Sequence, residues 1–124
     1  MLLEGKKFDL RIYVILSQIG SFPNKTTVAH VATEGMARLC IVDYEQPTRS
    51  NMGNLMLHLT NSAINKMSDD FISTEDLHSS TTRPLSIALE QLAEQGVEAE
   101  SVQASIADVC AKTLLAMQPH MLKD

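Results

Sequence analysis

"GKKFDLRIYVIL", residues 5–16, is the stretch on which the fold turns. Successive side chains of a strand point to opposite faces. Read as one strand, it carries Phe8, Leu10, Ile12, Val14 and Leu16 on one face and Lys7, Asp9, Arg11 and Tyr13 on the other. The first is a core face. The second sets a cation, an anion and another cation in a row, with alternate side chains about 6.6 Å apart at roughly 3.3 Å per residue. That spacing suits separate contacts along an extended charged ligand of a nucleotide's length. It also suits a solvated face with cross-strand ion pairs.

Working outward, "SQIGSFPNKTT" (17–27) concentrates Gly20, Pro23 and Asn24 and reads as a connection. In "TVAHVATEGMARLCIVDY" (27–44), two β-rich runs at 27–32 and 37–44 flank Glu34-Gly35, which predicts a hairpin with Arg38 just past its turn. "EQPTRSNMGN" is a polar, turn-rich loop ahead of the apolar run "LMLHL". Beyond residue 62 the period changes. "PLSIALEQLAEQG" (84–96) spaces Leu85, Leu89 and Leu92 for a helix, with Pro84 at its start and Gly96 past its end. A longer helix from Glu98 to Met117 sets Val102, Ile106, Val109, Thr113 and Met117 on one side. Strands first and helices second make an α+β fold, one domain over 1–124, with the tract at 67–83 a mobile loop. Three or four strands and two helices form a thin layer pair, so an unpaired strand edge and exposed apolar surface are expected.

The 124 residues are 44% hydrophobic, enough for a globular core. The net charge is −5, and ten of the fifteen acids lie in residues 63–124, whereas six of the ten Lys and Arg lie in 1–62. Basic residues form no cluster interleaved with aromatics, which argues against a nucleic-acid partner. Cys40 and Cys110 have neither CxxC nor Cys/His ligand spacing, the pattern of reduced thiols in a cytosolic chain and not of a zinc site. No run approaches the roughly 18 apolar residues of a membrane span, and no GxSxG, HExxH, Walker loop or GxGxxG occurs. Taken singly, Arg38 reads as a surface arginine or a clamp for a carboxylate or phosphate. His58 reads as a hydrogen-bonded core histidine, and Thr60, Asn61 and Ser62 as turn or cap residues.

Three stretches in order, "EGKKFDLRIYV" (4–14), "TEGMARL" (33–39) and "HLTNSAINK" (58–66), resemble the tubulin tyrosine ligase-like family of ATP-dependent amino-acid ligases. "LAEQGVE" followed by "ADVCAKTLLAMQP" is similar to the family's paired helices, so the likeness covers nearly the whole chain. "KFDLR-x-Y" and "HLTN" look more like the glutamate-adding members. The resemblance implies part of an ATP-grasp fold. It further implies a reaction in which ATP phosphorylates a tubulin carboxylate and the amine of an incoming amino acid, glutamate, attacks the acylphosphate.

Carried over by residue, the resemblance gives Lys7 and Asp9 to the nucleotide, Asp9 on the ribose hydroxyls, and Thr60 and Asn61 to ATP. It places Arg11 near the transferring phosphate and acceptor carboxylate, His58 at the phosphate end, and Arg38 on the incoming amino acid's carboxylate. Ser62 and Ala63 stand where glutamate-adding members commonly have Tyr and Ser that help hold the amino acid, and Thr82, beside Arg83, stands where a basic residue is expected. The family's magnesium ligands, an Asp and a Glu-x-Asn, would follow Asp124, and further lysines would precede Met1, so the isolated chain is expected to be inactive. The expected setting is the cytoplasm, cytoskeleton or cilium, with tubulin or another acidic-tailed protein as partner. A non-catalytic remnant that binds nucleotide or microtubules, and an anion-binding module built on Lys7, Asp9 and Arg11 alone, are the competing readings.

Overall fold

The computed structural model describes residues 1–20, 24, 26–67 and 76–121; the side chain of Ser62 also lies outside the described part. The chain opens with a tight reversal in which Leu3 and Lys6 exchange backbone hydrogen bonds. Glu4 (φ 52°) and Gly5 (φ 73°) are both left-handed at its centre, the backbone of a primed hairpin turn.

Strand β1 (Phe8–Arg11) follows, then β2 (Val14–Ile19), β3 (Thr26–Val31) and β4 (Met36–Leu39). β1 pairs antiparallel with β4, with Phe8 opposite Leu39, Asp9 opposite Arg38 and Leu10 opposite Ala37. β4 pairs on its other side with β5 (Thr82–Pro84), giving a three-stranded sheet in the order β1-β4-β5. β2 and β3 form a separate antiparallel ribbon from Val14–Val31 to Ile19–Thr26.

Two sequence expectations are thereby corrected. Residues 8–16 do not make one strand: the chain changes sheet at Ile12-Tyr13, and β2 runs on to Ile19 through what reads as a connection. Nor do β3 and β4 form a hairpin around Glu34-Gly35, since β3 pairs back with β2 and β4 with β1. Gly35 serves close packing: a Cβ there would lie 2.4 Å from the Arg11 carbonyl oxygen. The loop expected over 67–83 also ends early, because Thr82–Pro84 are β5; its residues 68–75 lie outside the described part.

One face of the three-stranded sheet carries Leu39 and Ala37, which pack with Leu3, Ala88 and Leu92 into the buried core, flanked by Phe8, Leu10 and Val97. The helix α3 (Leu85–Glu94) covers that face with Leu85, Ala88, Leu89 and Leu92, as its spacing predicts, and Gly96 (φ 84°) stands beyond its end. Its first turn has no side-chain cap of its own. Glu34 supplies one from across the chain, accepting from the Ser86 backbone N–H at 3.2 Å and the Ser86 hydroxyl at 2.8 Å, as an anion at a helix N-terminus should. Arg83 is buried on the core side of β5, where its guanidinium meets Glu4 (2.9 Å), Gln91 (2.7 Å) and the Ser80 carbonyl (2.8 Å).

Two single-turn helices, α1 (Leu55–His58, capped by Asn54) and α2 (Ser62–Asn65), lie in the stretch between β4 and β5. The last helix, α4 (Ala99–Met121), continues four residues past the expected end. It borders β1 and the ribbon across apolar grooves, one lined by Leu10, Ile12, Val102, Ile106 and Val109, another by Leu16, Ala29, Leu114 and Leu115. Ile15, Ile19, Val109 and Leu115 are each at least 60% exposed, so the expectation of bare apolar surface holds.

Candidate functional site

The alternation that sends Phe8 and Leu10 into the core sends Lys7, Asp9 and Arg11 to the opposite face of β1. On that face the register sets Arg38 directly across from Asp9. The guanidinium fork takes both carboxylate oxygens, Nε donating to Oδ1 at 2.9 Å and Nη2 to Oδ2 at 2.5 Å. Parallel paired bonds of this kind are the most directional that a carboxylate accepts.

The 57–65 stretch closes over the same face. Lys7 Nζ donates to the His58 carbonyl at 2.6 Å, and the Thr60 hydroxyl lies near the Asp9 carboxylate. Thr60 is buried. The Cys40 thiol, just past β4, bonds the carbonyls of Leu59 (3.4 Å) and Leu57 (3.6 Å). Asn65, 1% exposed, donates from Nδ2 to the Leu39 carbonyl at 2.9 Å.

These contacts set the electrostatics. Partial burial pushes the Asp9 carboxyl up, but the bonds from Arg38, the nearby Thr60 hydroxyl and the charges of Arg38 and Arg11 outweigh it and hold the group below the ordinary aspartate range. The bond to Asp9 correspondingly raises Arg38. Burial pushes the Cys40 thiol up, against the opposing pull of the Lys7 charge. The face thus presents a fixed carboxylate flanked by cations, and the Asp9 side chain keeps 41% of its surface open to approach.

Of the residues singled out in the sequence, Lys7, Asp9, Arg11, Arg38 and Thr60 come together here. Arg11 is exposed at the end of β1. His58 adjoins through its backbone, while its imidazole Nε2 bonds the Asn51 carbonyl at 3.0 Å; a carbonyl can only accept, so Nε2 carries the proton. Asn61 is exposed, and its carbonyl accepts from the N–H groups of Ile64 and Asn65 in the single turn of α2, the local role its residue type suggests. Ser62 begins α2, with its side chain outside the described part. Sequence reasoning missed Asn65 and Cys40, which brace the stretch from below; the available signal was a polar residue in the apolar spacing of "SAINK". Among the described residues no cluster of three or more His, Cys, Asp or Glu could hold a metal ion.

The profile of the tubulin-tyrosine ligase family matches residues 1–124. The chain belongs to that family. It is 31% identical over 121 residues to a human tubulin polyglutamylase, TTLL11, covering 98% of this chain and 16% of that protein. It is 36% identical over 118 residues to the zebrafish (Danio rerio) tubulin polyglutamylase ttll6, covering 95% of this chain and 14% of that one. With the Caenorhabditis elegans tubulin polyglutamylase ttll-11 the identity is 37% over 119 residues, 94% of this chain and 16% of the relative. The chain therefore spans about one-sixth to one-seventh of the length of these curated relatives. Among the described residues no helix is long and apolar enough to cross a membrane.

Proposed function

We propose that residues 1–124 form the nucleotide-facing and substrate-facing part of a tubulin glutamate ligase of ATP-grasp type, working in the cytoplasm on the cytoskeleton or cilium. The observation that carries this reading is the meeting of Lys7, Asp9, Arg11, Arg38 and Thr60 on one face under the 57–65 stretch.

The donor set fits a nucleotide. Asp9, ionised and partly open, accepts the two ribose hydroxyls. Lys7, whose Nζ reaches the His58 carbonyl, faces the base-to-phosphate length together with Thr60 and Asn61, while Arg11 at the end of β1 supplies fixed positive charge where a phosphoryl group and an acceptor carboxylate meet. His58 closes the phosphate end. Arg38 and the Ser62 position receive the amino acid, the guanidinium matching its carboxylate with a fork. ATP, when bound, supplies the phosphoryl group that activates a tubulin carboxylate as an acylphosphate for attack by the amine of glutamate. Magnesium in this reading is held by residues outside these 124, and the isolated chain binds nucleotide without turning over.

Isothermal titration of ATP into the 124-residue chain tests the reading. Asp9→Asn is expected to weaken binding about tenfold, the equivalent of roughly 1.4 kcal/mol from hydrogen bonds to a charged acceptor. Nucleotide affinity indifferent to Asp9→Asn and Lys7→Ala would remove the site. Co-sedimentation with microtubules without any nucleotide binding would replace the reading by a docking module.

A further inference from the structure

In the proposed function Asp9 and Arg38 serve two different ligands, yet in the structure they hold each other. Both carboxylate oxygens of Asp9 are met by one edge of the guanidinium, Nε on Oδ1 at 2.9 Å and Nη2 on Oδ2 at 2.5 Å. A vicinal diol offers a carboxylate the same pattern, two donors side by side for two oxygens. The ribose hydroxyls and Arg38 therefore compete for the same edge of Asp9.

The two partners are not equally reachable. The Asp9 side chain is 41% exposed and that of Arg38 18%, so a ligand meets the carboxylate more readily than the guanidinium. The strand cannot yield Arg38 either. Ala37 and Leu39 on each side of it are buried in the core, so its release is a movement of the side chain alone. Across β4 from Asp9 the register row ends at Thr82, which carries no charge, and among the described residues Asp9 is the one acid in ion-pair contact with Arg38. While the pair is closed, the Asp9 charge offsets that of Arg38 and repels a second carboxylate. Once hydroxyl donors occupy Asp9, the guanidinium has no other acid in its row.

We propose that Asp9 masks Arg38 in the free chain and that the ribose diol of the nucleotide unmasks it, so that the amino acid's carboxylate binds after the nucleotide and more tightly because of it. The inference rests on the reading of Asp9 as the ribose ligand and Arg38 as the carboxylate ligand. Affinity for a group that is open only part of the time is reduced by that fraction. By linkage, the amino acid tightens nucleotide binding by the same factor.

Calorimetric titration of L-glutamate into the 124-residue chain tests this. Asp9→Asn, which keeps the shape and removes the charge, is expected to tighten glutamate binding about tenfold without any nucleotide, a factor ordinary for coupled sites. Adding Arg38→Gln should abolish that gain. In wild type, saturating ATP should tighten glutamate binding by a similar factor, and a dideoxy-ATP lacking both ribose hydroxyls should not. The proposal is overturned by glutamate affinity that ignores Asp9→Asn, by glutamate binding undetectable in both chains, by a gain that survives Arg38→Gln, or by equal responses to ATP and its dideoxy form. Should Asp9→Asn fail to fold, the Arg38 Nε–H resonance of wild type decides: its hydrogen exchange should accelerate on adding ATP but not the dideoxy form, and an unchanged rate overturns the release. The two failures stay distinguishable. ATP binding indifferent to Asp9→Asn refutes the ribose role of Asp9, whereas ATP binding that needs Asp9, beside glutamate binding that ignores it, refutes the masking alone.

Discussion

Arg38 and Asp9 are register partners across β4 and β1, and they are joined by both ends of the carboxylate. The Arg38 side chain is 18% exposed and that of Asp9 41%, so solvent screens the pair in part and its worth sits near the upper end of the range for surface ion pairs. Arg38→Ala should cost about 1 kcal/mol at neutral pH, and Arg38→Lys should recover little of it, because an ammonium cannot reproduce the fork. Since Asp9 titrates below its ordinary value, the stabilisation is present in full above that value and is lost as pH falls through the lowered one. Urea titrations of wild type and Arg38→Ala should therefore differ at pH 7 and converge in strong acid. A gap that persists there would place the contribution of Arg38 in packing.

At Gly35 the limit is space. A Cβ would sit 2.4 Å from the Arg11 carbonyl oxygen, a backbone atom that cannot swing aside. Gly35→Ala should destabilise by about 2 kcal/mol, as overpacked sites do, and should shift the backbone amide resonances of Arg11 and Ile12. Thermal unfolding with NMR reads both, and a variant as stable as wild type with those resonances in place would contradict the contact.

Glu4 and Arg83 lie 79 positions apart and form an asymmetric pair, the arginine side chain 1% exposed and the glutamate 44%. Glu4→Ala leaves a buried guanidinium with Gln91 and the Ser80 carbonyl but without its counter-charge. The expected cost is on the order of 2 kcal/mol, below that of a fully buried pair because Glu4 already meets water. Arg83→Met, which removes the charge and keeps much of the volume, should cost less than Glu4→Ala. The opposite order in urea denaturation would show that the guanidinium serves as packing and not as a charge requiring a partner.

How much of this was legible in the sequence follows from where each signal lives. Lys7, Asp9 and Arg11 share a face because strand alternation is local, and Leu85, Leu89 and Leu92 share one because helical spacing is local. Strand partners are not local. Gly35 has the composition of a turn, yet it is glycine so that β4 can approach Arg11, and nothing at Ile12-Tyr13 announces the change of sheet. Arg83 sits beside a polar tract and reads as loop; its burial depends on Glu4 and Gln91, which only the folded chain brings near. The family motifs pointed to Asp9, Arg38 and Thr60 as one site, but not to the Arg38 grip on Asp9 or to Asn65 beneath it.

The ribbon and α4 leave Ile15, Ile19, Val109 and Leu115 at least 60% exposed. Apolar surface of this kind drives association. The isolated chain should elute from size-exclusion columns as concentration-dependent oligomers, and Ile15→Lys with Leu115→Lys should move it toward the monomer. A monodisperse wild-type monomer at every concentration would show that these side chains are too scattered to form a sticky patch.

The two free cysteines differ in access: Cys40 is sealed under the carbonyls of Leu57 and Leu59, whereas Cys110 is half-buried on α4. The chain consequently carries its own stopwatch. A thiol reagent consumes Cys110 first and reaches Cys40 when α1 lifts from the end of β4, so the lag between the two reactions times the breathing of the wall that faces Asp9.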